Sequence, residues 1–287
     1  MAPHIELPGP LVDPSWLRER LGEPGLVVAD VRMAPGGEGR PAFERGHLPG
    51  AVYLDVDADL SAPPEADDRG RHPLPDPELF AEAMRRSGID DDDAVVAYDD
   101  VEGSSAARLW WLLDAIGHPV ALLDGSLRGW TGPLETGPQT FRPPGWFSGR
   151  PWPEERVVRT PEAERIVAQR SATMLDARSA VRYRGEDEPI DPIAGHIPGA
   201  ISAPYADNVD ASTGRFHSAI RLRERYERLG VARADDVVAY CGSGVTAAHD
   251  VFAMRLAGLG EARLYEGSWS GWIAAGDRPL ATGPRPG

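Results

Sequence analysis

The chain has one cysteine, Cys241, and its neighbours are those of a reactive thiol. It follows the apolar run Val237-Val238-Ala239-Tyr240 and precedes Gly242-Ser243-Gly244-Val245-Thr246, after which a helical pattern begins. In an open α/β sheet, sites are built at the carboxyl ends of strands. Small residues let a tight loop turn its backbone N–H groups inward, and the next helix N-terminus adds positive potential. Such a place favours a thiolate, and therefore a sulfur nucleophile. The competing reading is a small buried hydrophobe, the usual state of a free cysteine. Lone occurrence, strand end and Gly-rich loop together favour the nucleophile. A single cysteine permits neither an intramolecular disulfide nor a cysteine-based zinc cluster. No metal or other cofactor is expected: the acids Asp90 to Asp93 lack EF-hand spacing and read as a solvated turn.

The elements that must position this cysteine occur twice. Residues 95–130 and 237–272 align without gaps and share 11 of 36 positions, from Val-Val-Ala-Tyr at one end to Gly-Ser-x-x-Gly-Trp at the other. Upstream, Gly46-His47-Leu48-Pro49-Gly50-Ala51 matches Gly195-His196-Ile197-Pro198-Gly199-Ala200, and the strand-like 26–32 matches 173–178. Three paired landmarks in one order mean a duplicated domain. The duplication is its own control, because Asp99 stands where the second copy has Cys241. His47 and His196, kept in both copies, read as structural, as does Asp176. Trp130 and Trp272, in matching contexts, read as anchors of the core. His249 reads as a partly exposed helix residue.

Each copy alternates strand and helix patterns, the signature of an α/β fold with a mainly parallel sheet flanked by helices. In the first copy, Asp13-Pro14 opens a helix closed by Gly22, and 26–31 is a buried strand. Asp76-Pro77 opens the next helix, followed by a strand at 94–98, a helix at 104–117 and a strand at 120–123. The second copy repeats the pattern, with a helix from Thr160-Pro161, a strand at 173–176, a helix at 218–229, a strand at 236–240 and a helix at 245–257. The domains expected are 1–130, without the cysteine, and 159–287, catalytic. A stiff Pro/Gly-rich linker spans 131–158, and its Phe141, Trp146, Phe147 and Trp152 are expected to pack onto the domains.

These landmarks resemble the tandem rhodanese-type sulfurtransferases over nearly the whole chain. The resemblance rests on the two Gly-His-x-Pro-Gly-Ala segments, Asp30-Val31-Arg32 and Asp176-Ala177-Arg178, the Asp99/Cys241 pair and the Gly-Ser-x-x-Gly-Trp ends. It implies two tandem rhodanese-like domains in which the cysteine takes a sulfane sulfur and carries it as a persulfide. The sulfur then passes to a thiol or cyanide acceptor, with a thioredoxin-like reductant as one such partner. The loop Cys241 to Thr246 is similar to that of the 3-mercaptopyruvate sulfurtransferases, with the backbone of Gly242, Gly244, Val245 and Thr246 holding the sulfur. Thiosulfate-preferring relatives place cations directly after the cysteine, and this loop has none.

The same resemblance implies roles for further residues. Arg182 matches the carboxylate-binding arginine of the family; the bland alternative is a solvated surface arginine. Arg184 shares that task or pairs with an acid. A second arginine several residues on is absent, since the stretch reads Glu186-Asp187-Glu188-Pro189-Ile190-Asp191. Ser243 matches a serine that works with an Asp and a His from the other copy, for which Asp57 and His72 are the candidates. Such a relay would protonate the leaving enolate.

Composition narrows the rest. The 287 residues suggest about two domains. With 30 Lys+Arg, all of them arginine, against 45 Asp+Glu, the net charge is −15, which disfavours nucleic acid and anionic membranes. The start Met-Ala-Pro-His-Ile-Glu-Leu-Pro lacks a signal-peptide pattern and no long apolar run exists, so the expected location is cytoplasmic. A phosphatase of the C-x5-R type fits poorly because Ala247 stands six residues after Cys241, and Ser243 lacks the Gly-x-Ser-x-Gly context of a hydrolase. Two alternatives to a mercaptopyruvate enzyme stay open: a thiosulfate sulfurtransferase, and a non-catalytic rhodanese-type binding module.

Overall fold

The computed structural model describes residues 5–33, 38–64 and 67–287. Met1 to His4, part of the N-terminal stretch read above, lie outside the described residues. The chain forms two compact units. The first comprises Met1–Ala62, Pro75–Trp152 and Ala211–Arg215; the second comprises Pro63–Leu74, Pro153–Asp210 and Phe216–Gly287. The segment 63–74 therefore belongs with the cysteine-bearing unit, although in sequence it lies inside the first copy.

In the first unit, β1 (Leu11–Val12), β2 (Leu26–Asp30), β3 (Val52–Tyr53), β4 (Ala94–Tyr98) and β5 (Val120–Leu123) form a five-stranded sheet ordered β1-β5-β4-β2-β3. All its pairings are parallel. The strands β2 and β4 are buried along their length and apolar apart from Asp30 at the end of β2, as expected of a sheet covered on both faces. Helices α1 (Pro14–Arg20) and α3 (Pro77–Arg86) begin as the sequence predicts, each with an aspartate cap and proline in the first turn. Helix α2 (Gly39–Arg45) precedes β3, while α4 (Ala106–Ala115) and α5 (Ser126–Gly129) follow β4 and β5.

The stretch 131–152 belongs to the first unit. Phe147 and Trp152 pack on Phe80, with Trp152 also near Trp111. Phe141 and Trp146, in contrast, are 83% and 77% exposed, against expectation. Backbone bonds at Gly145 and Trp146 to Arg85 and Asp91 hold this stretch as a single layer, so its outward rings have nothing above them within the unit.

The second unit repeats the topology. Strands β6 (Val157–Val158), β7 (Thr173–Asp176), β8 (Ile201–Ser202), β9 (Val237–Tyr240) and β10 (Arg263–Tyr265) are ordered β6-β10-β9-β7-β8, again all parallel. Around them lie α6 (Thr160–Gln169), α7 (Ala180–Arg184), α8 (Ala219–Arg228), α9 (Ala247–Leu256) and α10 (Ser268–Ala274). The duplicated landmarks act alike in both units. His47 stacks on Phe43 and its Nδ1 meets the Phe43 carbonyl at 2.9 Å; His196 does the same with Tyr183 at 2.8 Å. Asp30 holds Arg32 in a buried fork, and Asp176 holds Arg178. Trp130 and Trp272 each donate their indole N–H to a proline carbonyl at 3.0 Å.

His249 departs from expectation. It is fully buried, against Phe216 and beside Asn208. A polar residue on an isolated helix reads as exposed; here the loop before α8 covers it. The Asp90 to Asp93 turn is likewise only partly solvated, since Asp93 is buried and accepts from the Asp90 N–H, and Asp91 holds Ser148 and Arg150.

Candidate active site

Cys241 sits at the carboxyl end of β9, in the middle of the second unit's sheet, and is 2% exposed. Its backbone is pinned on both sides: its N–H donates to Ser268 Oγ at 3.1 Å, and its carbonyl accepts from Trp269 at 2.9 Å. The loop then curls around the sulfur. Gly244, with φ +83°, donates its N–H to Cys241 Sγ at 3.1 Å, and α9 starts three residues later.

The first unit shows what this loop does with an anion. Asp99 is fully buried, and its carboxylate accepts from the N–H groups of Val101, Gly103, Ser105 and Ala106 at 2.8–3.0 Å. The Ser126 hydroxyl adds a fifth donor at 3.0 Å. Strand end, curled loop and helix start thus make an anion cradle, which the first unit fills with its own carboxylate.

The segment 63–74 brings further chemistry to the second unit. Thr160 donates to the Asp68 carbonyl at 2.7 Å and the Arg71 N–H donates to Ser270 Oγ at 3.1 Å, which fixes the segment beside α10. Gly70 lies against Gly267 with φ +81°, and a Cβ there would collide with the Gly267 carbonyl. This anchoring sets His72 with Nδ1 2.7 Å from Ser243 Oγ.

Arg182 lies on α7, which Gly185 ends in the left-handed region. Its guanidinium reaches the cysteine loop: a Cβ on Gly242 would stand 3.3 Å from Arg182 Nη2 and 3.6 Å from Nη1. A second guanidinium converges on the same space, since Arg71 Nη2 would be 3.1 Å from that Cβ. Two carboxylates hold the pair in place. Asp191 bridges Arg71 Nη1 and Arg182 Nη2, the latter at 3.0 Å. Glu188 takes Arg182 Nε at 3.0 Å and Arg178 Nη1 at 3.2 Å. Burial lifts the Asp191 pKa above the ordinary carboxylate value, with Arg71 and Arg182 opposing it. For Glu188 burial also acts upward, but the Arg182 fork and backbone donors outweigh it and hold its pKa below the ordinary value.

The second unit therefore gathers Cys241, Gly242, Ser243, Gly244, Val245, Thr246, His72 and Arg182 in one place. It does not bring Arg184, whose guanidinium pairs with Glu186 at the surface. Asp57 belongs to the first unit, where its N–H donates to Asp55 at 2.9 Å. Sequence reasoning missed Arg71. The second arginine was sought after Arg182, whereas it stands next to His72, 111 positions earlier than Arg182 in the chain. Its adjacency to a singled-out histidine was the available signal. The loop lacks cations of its own, but two guanidiniums lie over it.

Comparison with known proteins agrees with this architecture. The family profile for the rhodanese-like domain matches residues 13–133 and again 160–275. A Pseudomonas aeruginosa protein named "Probable 3-mercaptopyruvate sulfurtransferase" is 44% identical over 281 residues, covering 95% of this chain and 98% of that one. A "Thiosulfate sulfurtransferase" of Corynebacterium glutamicum is 34% identical over 291 residues, covering 96% and 91%. The crystal structure of SseA from Escherichia coli superposes with a TM-score of 0.79 at 34% identity, covering 91% of this chain and 99% of that one. Among the described residues no helix is long and apolar enough to cross a membrane. A buried cysteine in an anion-binding loop, on a twice-repeated parallel α/β unit, places the chain in the rhodanese-like family as a tandem-domain sulfurtransferase that works through a cysteine persulfide.

Proposed function

We propose that the sulfur donor is 3-mercaptopyruvate and that Arg71 and Arg182 together hold its carboxylate. The observation that carries this is the convergence of both guanidiniums on the space beside Gly242, one residue from the nucleophile. A carboxylate seated there leaves the donor's C3 and sulfur within reach of Cys241, and two guanidiniums supply charge-assisted hydrogen bonds to it.

The Cys241 thiolate attacks the donor's sulfur. The new S–S bond forms as the C3–S bond breaks, and the electron pair passes to C3 as pyruvate enolate. The Ser243 hydroxyl, 2.7 Å from His72, supplies the proton to C3, and the donor thiol's proton restores the His72–Ser243 pair. Pyruvate leaves and Cys241 carries a persulfide anion. The outer sulfur is two bonds beyond Cβ, as the Asp99 carboxylate oxygens are in the first unit. The equivalent loop N–H groups are then its donors, preorganised for a charge that arises only on reaction. An acceptor thiolate or cyanide, with a thioredoxin-like protein among the candidate thiols, attacks the outer sulfur. That step breaks the S–S bond and restores the Cys241 thiolate. A reducing compartment such as the cytoplasm suits this cycle.

Thiosulfate is the second reading, favoured by the presence of cations over the loop. Measuring kcat/KM for each donor side by side decides between them. A higher value for 3-mercaptopyruvate is expected, and a higher value for thiosulfate overturns the reading.

A further inference from the structure

The carboxylates behind the arginine pair do more than fill space. Arg71 and Arg182 bring two positive charges to Gly242, and Asp191 and Glu188, bonded to these same guanidiniums, bring two negative charges. Arg178 is balanced in the same way by Asp176. The anchor is thus neutral before a donor arrives, although it is rich in N–H donors. Asp191 is the carboxylate shared by both arginines, and its side chain is 1% exposed, so water screens it little.

We propose that Asp191 is a specificity-determining residue that disfavours dianionic sulfur donors. A donor with a single carboxylate brings one negative charge and is held by directed hydrogen bonds from Arg71 and Arg182. Thiosulfate brings two, and every unit of anionic charge placed beside Gly242 is also repelled by the Asp191 carboxylate that the guanidiniums hold. Attraction to the guanidiniums doubles for a dianion, but so does the part that Asp191 takes back, so Asp191 narrows a dianion's advantage through charge and not through size. The inference rests on the reading that Arg71 and Arg182 form the anchor.

The test is Asp191→Asn, which keeps the shape and removes one negative charge. The ratio of kcat/KM for thiosulfate to that for 3-mercaptopyruvate should rise about tenfold, and inhibition by sulfate, an inert dianion, should tighten about tenfold. A merely structural loss would weaken both donors and would not tighten an inhibitor. An unchanged or lower ratio, with sulfate inhibition unimproved, overturns the proposal. If Asp191→Asn does not fold, Glu188→Gln removes the neighbouring charge without touching the Arg71 contact. It should shift both readouts the same way by a smaller factor, and no shift overturns the proposal. Arg182→Ala, run in parallel, separates the two levels. A raised KM for 3-mercaptopyruvate there with no shift in Asp191→Asn defeats this inference alone. An unchanged KM in Arg182→Ala defeats the anchor on which it rests.

Discussion

Replacing Arg71 by alanine removes one of the two guanidiniums over Gly242 and should leave the fold in place, because its side chain is 34% exposed and Asp191 keeps Arg182 at 3.0 Å. A hydrogen bond to a charged group contributes about 1.5–3 kcal/mol, and each 1.4 kcal/mol is a factor of ten. Partial exposure of Arg71 argues for the low end, so kcat/KM for 3-mercaptopyruvate should fall about tenfold, mainly through KM. The control is 1-mercapto-2-propanone, which carries the same thiol and ketone without the carboxylate. The assay is steady-state transfer to cyanide with each donor, read as the ratio of the two kcat/KM values. That ratio should drop about tenfold in Arg71→Ala and similarly in Arg182→Ala, while Arg71→Lys, which keeps charge but loses the fork, falls between. Equal losses with both donors would mean that Arg71 only positions His72, and the carboxylate role would be refuted.

Ser243→Ala should lower kcat with 3-mercaptopyruvate by about 100-fold and affect thiosulfate far less, because sulfite leaves without needing a proton; equal losses in stopped-flow transfer would remove the serine from proton delivery. Asp250, fully buried on α9, has its pKa pushed up to about 6 by burial, against Arg225 and hydrogen bonds from Asn208 and Tyr226. The raised value favours the protonated form in the folded state, so its stabilising contribution is complete below about pH 4 and is lost as pH rises through about 6. The difference in unfolding free energy between Asp250→Asn and the parent should therefore change by about 2 kcal/mol between pH 4 and 7, in favour of the variant at higher pH. Urea unfolding across that range checks it, and parallel pH profiles would contradict it.

Much of the fold was legible because the chain states it twice. The strands at 26–30, 94–98, 173–176 and 237–240 are almost wholly buried, so they stand out as apolar runs, two of them closed by an aspartate. The two-residue strands β1, β3, β6 and β8 were not legible, because so short a segment has no periodicity of its own and is held by its neighbour's register. Cys241 and its loop could be read locally: strand, glycines and helix are contiguous, and Asp99 supplied the contrast. The anchor could not, since its parts come from 71, 182, 188 and 191, and only the fold joins them. Asp191 is instructive, because in sequence it is one acid among several, and its place between two arginines makes it part of the site. His249 and the exposed Trp146 fail for the opposite reason, as tertiary cover, present over one and absent over the other, overrides what the residue type suggests.

The central claim is that Cys241 receives the donor's sulfur as a persulfide. Its most direct test is the intact mass of the protein after brief exposure to 3-mercaptopyruvate and removal of small molecules, followed by peptide mapping. The protein should gain one sulfur atom, located on the peptide containing Cys241, and lose it on addition of cyanide with one equivalent of thiocyanate released. Cys241→Ser should gain nothing and transfer nothing, since a hydroxyl is a far weaker nucleophile at neutral pH. Turnover by Cys241→Ser, or a wild-type protein that transfers sulfur without ever carrying it on Cys241, would contradict the account.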